Sequence, residues 1–261
     1  MKYRLRHIYW IIMAGIVFLS GTVSAQINDG SEAHGLFVRA DTAYKTGDYD
    51  AALADYHRIL AAGWESGPLY YNLGNCYVKK DQPGRAILNY ERARFFIPND
   101  ADLESNYRFA LSMLPSSPPY ESNPVVRSLA RLFDRVSING MSVLLSVLYI
   151  AVIIVLLVRL WMMPFRKPGL YMIAVLVISF ALTAVSFASR KGHMRNGAVV
   201  VSAVTAVRFE PMANGTIYFT LNEGASVRIV SQNQDWYKIL RSDGKSGWVP
   251  AGDIEPLFPR G

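Results

Sequence analysis

Hydrophobic and polar positions divide the chain into stretches of different period. Two of them, 136–158 and 168–189, have no polar stripe: Leu, Ile and Val continue round every face, and neither stretch contains Asp, Glu, Lys or Arg. Each is about as long as the roughly 20 residues a bilayer-spanning helix needs, and a helix apolar on all sides has no face for water. The connector, 159–167, is short and carries Arg159, Arg166 and Lys167, so the pair reads as an antiparallel transmembrane hairpin. Two buried helices of a soluble protein are the alternative, and the unbroken apolar surface argues against it. Before the hairpin, 33–114 has a helical period broken at turn signals. After Arg195 short β-prone runs take over. A hairpin returns the chain to the side it came from, so both flanking regions are expected on one side of a membrane.

The first 25 residues have the pattern of an export signal. Lys2, Arg4 and Arg6 precede an apolar run from Ile8 to Leu19, and Val23-Ser24-Ala25 offers a small-residue cleavage site. An uncleaved anchor is the other reading, and either one carries the next domain across the membrane. The hairpin turn then lies in the cytoplasm, in line with its positive charge. Arg127, Arg131, Arg135, Arg190, Lys191 and Arg195 would lie outside and count against that orientation.

Within 26–114 there is an internal repeat. Gly74, Tyr77, Ala86, Tyr90, Ala93 and Pro98 are echoed about one repeat length earlier by Ala40, Gly47, Tyr49, Ala52 and Tyr56. The pattern is one of helix pairing. Ala40, Gly74 and Ala86 let antiparallel helices approach, while Tyr56, Tyr77 and Tyr90 fill the space between them. Gly47-Asp48 and Gln82-Pro83-Gly84 make turns, and Pro98-Asn99-Asp100 ends the second unit. A further helix over about 101–114 would cover the last face as a cap. The stretch resembles a tetratricopeptide (TPR) domain of about two and a half repeats, although Trp64 stands where that family usually has its closing proline. The resemblance implies an all-α solenoid with a concave peptide groove lined by Phe37, Asp41 and Tyr44, by Tyr71, Asn75 and Lys79, and by Asn106. It further implies that Asn75 holds the main chain of a bound peptide and that Lys79 meets a carboxylate. Ordinary solvated helix faces are the alternative reading of these positions.

Residues 115–124 are rich in Pro and Ser and cannot propagate a helix. Beyond them, 125–137 puts Val126, Leu129, Phe133 and Val136 on one side and Arg127, Arg131 and Arg135 on another. This fits an interfacial helix with its arginines at headgroups, and equally an extended top of the first membrane helix.

In the C-terminal region β-prone runs at 198–207, 216–221, 226–231, 236–241 and 247–249 are separated by Asn214-Gly215, by 222–224 and by Asp243-Gly244. Five short strands predict a small all-β barrel. Val207-Arg208, Leu221 with Gly224, Trp236-Tyr237-Lys238-Ile239 and Asp243 to Val249 resemble the bacterial SH3 (SH3b) pattern over 196–258. That resemblance implies binding of cell-wall peptides or proteins, with Trp236, Tyr237 and Trp248 as aromatic surface and Arg208 as an anion contact. Each residue also suits a packing role.

Composition adjusts this picture in two places. The formal charge is +7, and without Lys2, Arg4 and Arg6 it is +4. Residues 26–114 hold nine basic and twelve acidic side chains. The positive excess therefore sits around the hairpin and in the C-terminal region, which marks a membrane protein rather than a nucleic-acid binder. Cys76 is the single cysteine, so no internal disulfide can form. His7, His34, His57 and His193 lack metal-ligand spacing, and there is no phosphate loop and no G-x-S-x-G elbow. Asp48/Asp50 and Asp100/Asp102 stand at helix starts, where capping accounts for them. The expectation is a binding protein, not an enzyme, with no cofactor, no metal and no catalytic residue.

The domain order (signal peptide, TPR region, membrane hairpin, SH3b) resembles the BatE proteins of the Bacteroides aerotolerance (Bat) group. It implies a multidomain membrane protein of the bacterial inner membrane, with both folded regions on the periplasmic side. It also implies partners among envelope membrane proteins such as von Willebrand factor A-domain Bat proteins, and a link to oxygen or stress tolerance. A wall sensor or anchor that binds peptidoglycan peptides through the SH3b region is the second hypothesis.

Overall fold

The computed structural model describes residues 30–114, 136–161 and 166–258. The expected signal segment (1–25), the linker with its interfacial helix (115–135) and residues 162–165 of the turn lie outside the described residues.

Helices α1 (Gly30–Lys45), α2 (Tyr49–Ala61), α3 (Gly67–Lys79), α4 (Pro83–Phe96) and α5 (Ala101–Ser112) form the N-terminal region. Their starts follow from local chemistry. The side chains of Asp48, Ser66 and Asp100 accept hydrogen bonds from the amides of Ala51, Leu69 and Leu103, and Pro83 opens α4. α1 packs on α2, α3 on α4, and α5 closes on α4. The close approaches expected from small residues are present: Ala40, Ala52 and Ala86 are fully buried beside Tyr56 and Tyr90. A Cβ on Gly74 would lie 2.4 Å from the Tyr90 ring.

α6 (Ile138–Trp161) and α7 (Arg166–Asn196) run along one another. Both are long and apolar enough to cross a membrane, and only 6% of each apolar window is buried. They are therefore not core helices enclosed by the other described residues. Just past its apolar run α7 is tied to the chain entering α6 by Arg190, whose guanidinium donates to the Val136 carbonyl.

α7 passes straight into β1 (Gly197–Val200), followed by β2 (Val204–Arg208), β3 (Ile217–Asn222), β4 (Ser226–Asn233), β5 (Trp236–Leu240), β6 (Ser246–Pro250), a short 3-10 turn (Ala251–Asp253) and β7 (Ile254–Pro256). These strands form one antiparallel sheet in the order β3-β2-β6-β5-β4-β1-β7. It curls around a core of Ala198, Val200, Val207, Ile229, Ile239, Val249 and Ile254. The expected single run at 198–207 is two strands, because the chain leaves the β4 and β7 ladders of β1 and joins β3 and β6 through β2.

The sheet is not a free-standing module. Val199, Leu257 and Phe258 belong to the core of the helical region. Phe258 meets the rings of Tyr70, Phe95 and Phe96 at 5.7–6.4 Å. Arg92, 9% exposed on α4, donates to the carbonyls of Pro256 and Leu257 and pairs with Glu255. At the N-terminal end of α4 the Gly84 amide donates to Glu223, and Gly224, at φ +76°, lies against Leu114 and Ile87.

Candidate functional site

Spacings of three and four residues put Phe37, Asp41 and Tyr44 along one side of α1, and Tyr71, Asn75 and Lys79 along one side of α3. The structure joins three of the expected groove residues directly. Asn106 Nδ2, on α5, donates to the Tyr71 hydroxyl and to Asn75 Oδ1, each at 2.9 Å. The Tyr90 hydroxyl, from α4, donates to the same Asn75 oxygen at 2.7 Å. Burial raises the Tyr90 phenol above its ordinary pKa, so it stays protonated and remains a donor. With its oxygen used twice, Asn75 has no partner for its amide nitrogen among the described residues. That nitrogen and the Tyr71 O–H, which only accepts from Asn106, are the donors the network leaves for a ligand carbonyl.

The remaining groove residues surround this centre less tightly. The Phe37 ring meets the edge of Tyr56 at 5.6 Å, and Tyr44 packs on Tyr49 at 5.5 Å. Burial raises the pKa of Tyr44 and pushes that of Tyr56 up to about 12. Asp41 accepts from Lys45 one turn away at 2.6 Å, an exposed pair that contributes little to stability. Lys79 is exposed and without a partner among the described residues. Tyr90 and Tyr56 are the members that sequence reasoning assigned to packing alone. A hydroxyl at a core position had to find an acceptor or donor, and that was the available signal.

Strand alternation sorts the four residues expected at the barrel surface. On β5 and β6, Ile239, Gly247 and Val249 turn inward and Tyr237 packs against the same core, while Trp236, Lys238 and Trp248 face out. The Lys238 ammonium lies 5.9 Å from the Trp248 ring centroid. Arg208 donates to the Gly215 carbonyl at 2.6 Å, so its guanidinium braces the β2–β3 loop. An open groove of about 560 Å³ runs beside Trp248, lined by Phe209, Tyr218, Lys238 and Lys245. Phe209 and Tyr218 are 57% and 43% exposed with ring centroids 4.6 Å apart, an aromatic platform that buried strands would not leave open. Trp236 is not part of this groove. Residues 202–255 match the family model for the bacterial SH3 domain.

Residues 202–255 of the C-terminal sheet form a bacterial SH3 domain. The matched segment leaves out β1 and the 256–258 tail, which supply Val199, Leu257 and Phe258 to the helical core, while its own Glu223, Gly224 and Glu255 also touch α4. The groove beside Trp248 is lined by residues of the matched segment, without any from the helical region. No curated protein matches the chain.

The candidate reactive groups have structural surroundings. Cys76 is fully buried and its thiol is pushed up to about 12 by burial, which suppresses the nucleophilic thiolate. His57 Nε2 lies 3.0 Å from the Tyr77 hydroxyl. Among the described residues no group of three His, Cys, Asp or Glu side chains could hold a metal ion.

Proposed function

We propose that this chain is a membrane-anchored envelope scaffold, a binding protein with no chemistry of its own. On this reading the helical region is a TPR domain that takes an extended segment of another envelope membrane protein. The hairpin anchors it in the bacterial inner membrane with both folded regions in the periplasm, within a Bat-type complex that serves oxygen or stress tolerance. One observation carries the reading: the Tyr71–Asn75–Tyr90–Asn106 network spends both acceptor positions of Asn75 and leaves its amide donor unused. A fixed amide donor on a concave helical face suits a peptide carbonyl, and exposed Lys79 one turn on suits a carboxylate.

The SH3 domain supports a second reading, in which its groove binds peptidoglycan peptides and the protein is a wall sensor or anchor. The family match and the exposed Phe209–Tyr218 platform beside Lys238 and Lys245 favour it. Photocrosslinking in intact membranes separates the two. A photoreactive residue at position 71 is expected to give a discrete membrane-protein adduct that disappears in the Asn75→Ala background. Wall-linked material from a photoreactive residue at position 218, which lines the groove, with nothing from position 71, would replace the scaffold reading by the anchor reading.

A further inference from the structure

α7 does not stop where its apolar run ends. At 31 residues it is about 46 Å long, well beyond the roughly 30 Å of a bilayer's hydrocarbon core. Its last turns, from Arg190 to Asn196, therefore stand in the headgroup layer, and so does whatever packs on them. What packs there is the base of the β4–β5 hairpin of the SH3 domain. A cleft of about 430 Å³ opens between His193 and these strands, with Ser226, Arg228, Arg241 and Ser242 on its walls. Val227 and Leu240 also line it and give it an apolar side. His193 is three residues past Arg190, about 4.5 Å along the helix axis. The headgroup layer is about 5–8 Å thick on each side, so the cleft lies at the level of the lipid phosphates.

Its chemistry is that of an anion site. Arg228 is exposed, and its side chain has no partner among the described residues; the hydroxyls of Ser226 and Ser242 are equally unengaged. Arg241 is different. It is paired with Asp243, which offsets its charge, and it lies over the Phe219 ring at 4.7 Å. Arg228 is thus the cation whose guanidinium is open to a ligand, and a guanidinium fork matches two phosphate oxygens. Exposed Lys191 and Arg195 on the same turns of α7 add positive potential.

We propose that this cleft binds the phosphate of an anionic phospholipid headgroup. Arg228 anchors the phosphate, and Ser226, Ser242 and His193 surround it. The assignment rests on the hairpin spanning a membrane, and it is independent of both peptide surfaces. A lipid held there fixes the SH3 domain against the bilayer and sets the direction its groove faces.

The test uses the full chain, reconstituted in nanodiscs of equimolar phosphatidylglycerol and phosphatidylcholine and then released into detergent for native mass spectrometry. The wild type is expected to retain phosphatidylglycerol over phosphatidylcholine. Arg228→Gln should lower that retention about fivefold, from about 1 kcal/mol per basic residue at an anionic surface. Arg228→Lys should keep most of it, which shows that the loss is one of charge and not of fold. Equal retention of the two lipids, or an unchanged ratio in Arg228→Gln, would overturn the site. Displacement of the lipid by millimolar inorganic phosphate would overturn its assignment to lipid. A chain that never enters nanodiscs would refute the membrane-spanning reading, and this inference with it.

Discussion

At the scale of single residues, Gly74 and Asp55 decide how the helical pairs close. In an exposed helix alanine would be better than Gly74 by about 1 kcal/mol. Here the added methyl would lie 2.4 Å from the Tyr90 ring, and that ring is only 1% exposed and has nowhere to swing. Gly74→Ala is therefore expected to destabilise by about 1–3 kcal/mol and to break the Tyr90–Asn75 hydrogen bond. A thermal-unfolding cycle with Tyr90→Leu checks it: the double variant should cost clearly less than the two single changes added together, and strict additivity would show that the contact does not matter. Asp55 on α2 is forked by Arg39 of α1, which holds its carboxyl below the usual carboxylate range. A carboxyl with a depressed native pKa stabilises the fold above its unfolded value, near 4, and loses that contribution as pH falls through the native one. Wild type should therefore unfold at a higher temperature than Asp55→Asn at pH 7, with the gap narrowing below about pH 4. A gap that is constant with pH would exclude the ion pair as its cause.

At the scale of elements, much was written in the chain. Helix starts were legible because capping and Pro83 act within three residues of their targets. The apolar hairpin was legible because nothing polar interrupts it. Both apolar helices nonetheless extend beyond the apolar runs, to Trp161 and from Arg166 to Asn196, because polar residues continue a helix without any local signal to stop. β1 shows what was missed and why. All four of its residues are buried, Ala198 and Val200 in the SH3 core and Val199 in the helical core. A strand covered on both faces reads as a continuous apolar run, and 198–201 is one. The run announces burial but not the identity of the second partner. Likewise Asn75 and Asn106 could be placed on helix faces by spacing, but the shared acceptor required Tyr90 from a third helix, and that juxtaposition is tertiary.

At the scale of the whole molecule, the contact between α4 and the C-terminal tail decides whether two binding surfaces move together. Arg92 is buried there with its hydrogen bonds directed at the interface or at its own helix: two carbonyls, Glu255 and Asn89. Its guanidinium also lies 5.7 Å from the Tyr70 ring, next to Phe258. Removing such a donor strands its acceptors, a loss of about 2–4 kcal/mol, whereas the SH3 core itself loses no contact. Arg92→Met keeps the apolar stem and removes the fork. Hydrogen exchange on the full chain should then show the Leu257 amide, which donates to Gly197 at 2.8 Å, exchanging at least tenfold faster, with the Ile239 and Val249 amides of the SH3 core unchanged. Uniform acceleration would mean that Arg92 supports the whole fold, and no change would mean that the tail is held by Phe258 alone. Because α7 enters β1 without a linker, loosening this contact leaves the SH3 domain attached to the apolar hairpin and held to the helical region only by the remaining contacts of Val199, Phe258 and Glu223. The scaffold reading then makes a further demand: if groove and SH3 domain act as one rigid receptor, Arg92→Met should weaken partners that touch both surfaces and spare those that touch only one.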